Sequence, residues 1–313
     1  MSKIAAARSF GAKGVVAITL ERPTYQPGET LVGYITLRVD KGFNAKELQV
    51  AIIGDELVTW EIAGEQHERS RNWLRDHQVI AAPQRYEPGD YVFPFQFLLP
   101  YDLPNSFEYQ ETRVYDIADV HACVGYTITA SLPVLGPLNS DLGGSQGVRI
   151  ACVPREGPRA MRATHKKGVG VFDPFDKGYC VLTASLASNF RYPNEKAEMN
   201  CTILNHSKKR VKQVSTELVQ VVEILPREKS IYSTSKCRTV SRIDHLGMDA
   251  GQTRSIVLQP EMVDEQRIAT LLPTLRSQYI RISYHLEVKT TYSVSAGASV
   301  SFPITILPVH DDR

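Results

Sequence analysis

Apolar and polar residues alternate with a period of two along most of this chain, the spacing of β-strands that bury one face. Residues 13–21 (KGVVAITLE) and 31–39 (LVGYITLRV) read as strands on either side of Tyr25-Gln26-Pro27-Gly28-Glu29, whose Pro-Gly marks a turn. Leu48, Val50 and Ile52 share one face of a strand over 47–53, and 57–62 continues it past a Gly54-Asp55 turn. Residues 63–76 are mostly polar and charged. They predict a long connection whose tip, Asn72-Trp73-Leu74, is partly apolar and is a candidate partner loop, with a plain hairpin loop as the alternative. A short strand over 77–82 then precedes the Pro88-Gly89-Asp90 turn.

Residues 91–107 (YVFPFQFLLPYDLPNSF) are the stretch around which the chain is organised: a β-favouring apolar run, then Pro100 and Pro104, which withhold two backbone donors and turn the chain off the sheet. From 108 to 124 the pattern blurs, and a strand over 125–132 closes the unit. Residues 133–147, rich in Pro, Gly, Ser and Asn, predict a loop, followed by a strand over 148–153 and a basic, Pro- and Gly-punctuated linker at about 154–168. The second half repeats the scheme. Ser255-Ile256-Val257-Leu258-Gln259-Pro260 and Leu271-Leu272-Pro273-Thr274 are a degraded copy of the organising stretch, and Phe190-Arg191-Tyr192-Pro193-Asn194-Glu195 stands where the first half has its Pro-Gly turn. Further strands are expected over 181–188, 198–205, 211–225, 230–243, 279–289 and 299–307, with 260–272 open to a helix or a loop. The prediction is an all-β chain of two sandwiches, residues 1–155 and 156–313, repeated at a period of roughly 160 residues.

Composition narrows the class. With 313 residues, 42% apolar and 22% charged, the chain is long enough for two cores and fits neither wholesale disorder nor a membrane-embedded protein. The formal charge of +2 conceals an asymmetry: residues 1–155 carry 14 basic against 18 acidic side chains, net −4, and the remainder 22 against 16, net +6. An anionic partner should therefore meet the second half. Five scattered cysteines without CxxC spacing point to a reduced compartment, and no stretch has signal-peptide or membrane-spanning character, so the expected location is the cytoplasm. Two glycosylation sequons, at Asn200 and Asn205, are then expected to be chance matches.

The motifs resemble those of a known family. Tyr25-x-Pro-Gly-Glu29, Phe93-x-Phe95-x-Phe97-x-Leu99-Pro100, Leu103-Pro104-x-Ser106-Phe107 and Tyr126-x-Ile128-x-Ala130-x-Leu132 look like the amino-terminal domain of the α-arrestins. Ile203-Leu204-Asn205-x-Ser207, Glu217-Leu218-x-Gln220, Leu272-Pro273-Thr274, Ile282-x-Tyr284-x-Leu286 and Pro303-Ile304-x-Ile306 look like the carboxy-terminal arrestin domain. The resemblance implies tandem immunoglobulin-like arrestin sandwiches and a non-enzymatic adaptor or scaffold in endocytosis and cargo sorting. Implied partners are the tails of membrane receptors or transporters and sorting or ubiquitination machinery, with peripheral contact at the plasma membrane or endosomes and no nucleic acid. No PPxY string occurs, so ligase recruitment through such a motif is not expected, and the six residues after the last expected strand are expected to leave no room for clathrin- or adaptor-binding tail motifs. A retromer-type coat subunit or a self-associating scaffold of the same fold is the alternative; YQPGE and the Leu-Pro-x-Ser pairing favour the α-arrestins.

Candidate chemistry is sparse. Gly143-Gly144-Ser145-Gln146-Gly147 fits a nucleophile elbow by spelling only, since neither a strand before it nor a helix after it is predicted. No catalytic residue, metal ligand set or cofactor-binding glycine loop is expected. The candidate anion-binding residues are Lys208, Lys209, Arg210 and Lys212 in a basic turn between two strands, with Lys166 and Lys167 of the linker as further candidates; a solvated tip is the alternative.

Overall fold

The computed structural model describes residues 13–114, 117–136, 139–169, 178–224, 234–265, 270–293 and 296–309, and among these there is no helix. Contacts divide the chain into two compact units that part between Cys152 and Val153. In the first unit the strands are β1 (Gly14–Leu20), β2 (Thr24–Tyr25), β3 (Thr30–Val39), β4 (Phe43–Ala45), β5 (Leu48–Ile62), β6 (Glu65–Ala81), β7 (Gln84–Tyr86), β8 (Gly89–Leu98), β9 (Phe107–Val114), β10 (Ile117–Leu132) and β11 (Leu142–Ile150). They build a sheet β1-β3-β8 and a larger sheet β2-β11-β10-β5-β6, with β9 also on β10 and β4 paired to β7. Alternation decides what is inside. Leu31, Ile35 and Leu37 of β3 and Phe95 and Phe97 of β8 are buried with Val50, Ile52 and Val58 of β5 and Ile128 of β10. Each such side chain contributes about 1.5–3 kcal/mol on leaving water.

The second unit comprises β12 (Met161–Gly168), β13 (Tyr179–Leu186), β14 (Phe190–Arg191), β15 (Met199–His206), β16 (Val211–Ile224), β17 (Thr234–Met248), β18 (Thr253–Leu258), β19 (Leu275–Arg276), β20 (Ile280–Thr291) and β21 (Ala296–Ile306). Its sheets are β12-β13-β15-β18 and β14-β21-β20-β16-β17, with β19 also on β20. Apart from β12, and β4 and β7, this is the first unit's topology strand for strand.

Hydrogen bonds show why the repeated motifs recur. Gln26 N–H donates to Glu29 Oε2 at 2.8 Å, and Tyr192 N–H donates to Glu195 Oε2 at 2.8 Å. The residues between supply Pro at the first central position and a positive φ at the second, +86° at Gly28 and +65° at Asn194, the geometry of a type II turn. Tyr126 OH donates to Pro104 O at 2.9 Å; Tyr284 OH donates to Leu272 O at 2.8 Å. Two residues further on, Ser106 Oγ accepts from Ile150 N and Thr274 Oγ1 from Ile306 N, at 2.9 and 2.8 Å. The proline-controlled exit from the sheet is thus latched twice in each unit.

Several expectations are corrected. The polar stretch 63–76 is not a loop: β5 and β6 form one long hairpin that turns at Ala63 and Gly64 (φ 52° and 87°), and Asn72-Trp73-Leu74 lies within β6. Because β6 is the outermost strand of its sheet, much of it meets solvent on both faces and loses the alternating pattern. The blurred region 108–124 contains β9 and the start of β10. The predicted loop 133–147 already contains the first half of β11, elbow string included; a Cβ at Gly144 would sit 3.0 Å from Val16 O of β1, so close strand approach explains a glycine there. The linker holds β12, so Lys166 and Lys167 are strand residues. No helix forms over the described part of 260–272. Instead Ala197 N–H donates to Pro260 O and Met262 N–H to Glu195 O, strapping the segment onto the Asn194 turn.

Candidate functional site

The basic cluster of the second unit is built from its backbone outward. Cys180, Leu182, Cys201 and Ile203 point into the core, which by alternation puts Tyr179 and His206 on the opposite face of their sheet, directly paired. The chain then leaves β15, which pairs in one sheet, and enters β16, which pairs in the other. Residues 207–210 are therefore a corner between sheets, not the tip of a hairpin. Such a corner strips backbone groups of ladder partners, and one side chain replaces them. Asn205 is 1% exposed. Its Nδ2 donates to Lys209 O at 2.8 Å and Asp249 O at 3.0 Å, while its Oδ1 accepts from Ser207 Oγ at 2.7 Å and Tyr292 OH at 3.0 Å. Ser207 Oγ in turn accepts from Lys209 N–H at 3.2 Å. Burial pushes the Tyr292 hydroxyl above its ordinary range, so it remains a donor at any physiological pH.

With the corner fixed from beneath, Lys208, Lys209, Arg210 and Lys212 are all exposed. Arg210 lies 3.4 Å from Asp249, an exposed pair worth well under 1 kcal/mol, so its charge stays available to a ligand. The structure also brings Lys166 to the same end of the sheet: its Nζ sits 3.8 Å from the centre of the Tyr179 ring, and the Tyr179 ring packs at a tilt against His206, 4.9 Å between centres. Lys167 is on the neighbouring position of β12, opposite Cys180, and is exposed. Lys166 thus stands at the corner's end of the sheet, whereas Lys167, paired with the inward-facing Cys180, falls on the opposite face of β12 by alternation and is not brought into the cluster. Such a surface can attract an anionic layer or an acidic segment. It offers no chemistry beyond that, as no nucleophile with a paired base stands among these residues.

Sequence reasoning found the charges and missed what holds them. Asn205 and Ser207 were legible only as a sequon and a family motif; their shared burial identifies a framework role, and the folded chain leaves no amide nitrogen at Asn205 for a glycan. The ring contact of Tyr179 with His206 and the bond from Tyr292 to Asn205 were not legible in the sequence, because contacts between strands depend on register.

Asn72, Trp73 and Leu74 are placed elsewhere and differently from expectation. A bulge opposite Gly54 and Asp55 makes Trp73 an extra residue of β6. Its Nε1 donates to Oε2 of the fully buried Glu56 at 2.9 Å, and the Arg71 guanidinium lies 3.9 Å from the centre of its ring. Asn72 donates to Asp55 Oδ1 at 2.9 Å, and Leu74 is buried. All three residues are engaged within their own unit.

Among the described residues no group of three or more His, Cys, Asp and Glu side chains is arranged to hold a metal, and no helix is long and apolar enough to cross a membrane. Burial pushes the Cys201 thiol up to about 12, which makes it an unreactive core residue.

Comparison with known proteins agrees with this architecture. Residues 15–132 match the family model of the arrestin (or S-antigen) N-terminal domain, and residues 177–310 that of the C-terminal domain. The chain is 23% identical over 302 residues to human arrestin domain-containing protein 1 and 24% identical to the rat protein, in each case covering 93% of this chain and 63% of the relative. It is 21% identical over 256 residues to arrestin domain-containing protein C of Dictyostelium discoideum, covering 77% of this chain and 34% of that protein. The chain therefore spans less than two thirds of the length of these relatives.

Proposed function

This chain belongs to the arrestin-like proteins, in their α-arrestin branch, and from that premise we propose that it is a non-enzymatic adaptor in membrane-protein traffic. It engages the cytoplasmic tails of receptors or transporters and links them to sorting machinery, working in the cytoplasm and at the surface of the plasma membrane or endosomes. Its second unit faces the anionic membrane. The observation that supports this last step is the corner at Asn205, around which Lys208, Lys209, Arg210 and Lys212 are exposed, with Lys166 near the same end of the sheet. Near an anionic bilayer each such residue is worth about 1 kcal/mol. Roughly four effective charges amount to about 4 kcal/mol, a dissociation constant on the order of millimolar. That is too weak to hold the protein on a membrane alone, and enough to multiply the affinity of a simultaneous tail contact. Recruitment then needs lipid and cargo together.

Affinity purification of the full chain from a detergent-solubilised membrane fraction tests the reading. Recovery of integral membrane proteins and sorting components supports it. Recovery of a stoichiometric set of coat subunits without membrane cargo would replace it with the coat-subunit alternative.

A further inference from the structure

Register with β5 gives the edge strand β6 two unlike faces. One row runs Glu65, His67, Arg69 and Arg71, opposite Ile62, Trp60 and the buried Val58 and Glu56. The other runs Gln66, Glu68, Ser70 and Asn72, opposite Glu61, Thr59, Leu57 and Asp55, and so carries acid and no base. On β6 the first row is cationic from His67 to Arg71, and acid returns only at its ends, with Glu65 at the tip and Asp76 opposite Ile52. Both tryptophans of the chain join this row. The Arg69 guanidinium lies 5.8 Å from the centre of the Trp60 ring, which stacks on His67 at 5.7 Å, and Arg71 lies over Trp73. Among the described residues β6 is the last strand of its sheet, and its outer edge pairs with no other strand.

The second unit shows what such an edge takes. Its equivalent strand, β17, also ends its sheet and also carries an extra residue at a bulge, Val240, as β6 carries Trp73. An arginine stands two residues before each, Arg238 and Arg71. Beside β17 lies an acidic segment of the same unit. Both Nη atoms of Arg238 donate to the Asp264 carboxylate, Ser241 Oγ donates to Glu265 Oε1 at 2.9 Å, and Glu265 N–H donates to Val240 O at 2.9 Å. The edge arginine thus meets a carboxylate while the edge backbone accepts a main-chain N–H. Along β6 no described segment makes the equivalent main-chain bond.

Charge then selects the occupant. A second β6 paired antiparallel about Arg69 would set Arg69 against itself and Arg71 against His67, and like charges directly opposite destabilise a strand pair. A strand with a carboxylate at every second position would set these against Arg69 and Arg71 and leave its neutral row beside Glu68. Single-stranded nucleic acid is also anionic, but it has no amides to continue the ladder, and the rings it would stack on already carry a guanidinium or an imidazole. We infer that the outer edge of β6, over the roughly 25 Å from Gln66 to Trp73, takes an extended acidic segment of a partner protein as an added strand. This goes beyond the adaptor reading and does not rest on it.

The test uses the full chain and two labelled peptides of one length and composition, one alternating Glu and Thr and one with its Glu residues in a block. Fluorescence anisotropy at low salt should show the alternating peptide binding at least about fivefold more tightly than the block peptide. Arg69→Glu should remove that preference, and replacing Lys208, Lys209, Arg210 and Lys212 by Ser should leave it unchanged. Arg69 is exposed, so Tm of its variant should stay within about 2 °C of wild type. Hydrogen exchange with the alternating peptide bound should show new amide protection between Gln66 and Trp73. Equal binding of the two peptides, an undiminished preference in Arg69→Glu, or protection confined to residues outside β6 would overturn the inference. So would a thymine oligonucleotide that displaces the alternating peptide from wild type and fails to bind Arg69→Glu, which assigns the row to single-stranded nucleic acid.

Discussion

Replacing Asn205 by Ala removes the one side chain that satisfies the corner from beneath, and its cost can be worked out bond by bond. The substitution deletes two donated and two side-chain accepted hydrogen bonds and leaves Lys209 O, Asp249 O and Tyr292 OH without that partner. A lost hydrogen bond costs about 1 kcal/mol net, and a buried group left unsatisfied about 1–3 kcal/mol. Ser207 Oγ keeps its bonds to Lys209, and the carbonyls near the surface regain water, so the sum falls at roughly 3 kcal/mol. For a unit of this size each kcal/mol lowers Tm by about 2–4 °C, which predicts a loss of roughly 6–12 °C in the second unit. Calorimetry should resolve it as a shift of one transition, with the other unmoved if the units unfold separately. Tyr292→Phe, which removes one of the four bonds, should cost about 1 kcal/mol. An Asn205→Ala protein that melts within about 2 °C of wild type would refute the reasoning, because a corner that tolerates the loss is not held by Asn205.

Other expectations rest on the same geometry. Tyr284→Phe should destabilise more than Tyr126→Phe in chemical denaturation: Tyr284 OH accepts from Gln220 and donates to Leu272 O, whereas Tyr126 OH donates to Pro104 O. About 2 against 1 kcal/mol is expected, and equal losses would contradict it. At the paired turns, Asn194→Gly should be near neutral, while Gly28→Asn should be destabilising because a Cβ there falls 2.3 Å from Tyr101 Cε1. Burial holds His245 below its ordinary 6.5, Arg254 adding to the depression and Asp244 opposing it. The unfolded chain then takes up the proton first, so stability present above pH 6.5 is lost as pH falls through the folded-state value. His245→Gln should flatten that acid slope, and an unchanged slope would assign it elsewhere. Brief proteolysis should cut first in the exposed, strandless residues 153–160 and leave two fragments of similar mass; first cleavage at Arg69 or Arg71 would count against two independent units.

The fold was legible wherever one face of a strand meets the core and the other meets water. β3, β13, β15 and β20 alternate in sequence as they do in burial. The paired turns and the Pro-interrupted exits were readable because Pro, and Gly or Asn at positive φ, have few other uses. β12 and the first parts of β6 and β11 were not readable, each for its own reason. β6 meets solvent on both faces over much of its length, β11 needs a glycine where it approaches β1, and β12 is a charged edge strand. The site divided along the same line. A run such as Lys208-Lys209-Arg210 is visible as charge. That Lys166 stands beside it depends on the register of β12, β13 and β15, and the importance of Asn205 depends on burial that no local pattern records.

The central claim is that the fixed basic corner of the second unit brings this adaptor to anionic membranes. Co-sedimentation of the full chain with liposomes of anionic or neutral lipid, at low and physiological salt, tests it most directly. Wild type should prefer anionic vesicles and lose the preference as salt rises, and a variant with Lys208, Lys209, Arg210 and Lys212 all replaced by Ser should show no such preference while keeping the wild-type Tm. A variant that sediments with anionic vesicles as wild type does would contradict the account and leave the corner a solvated surface.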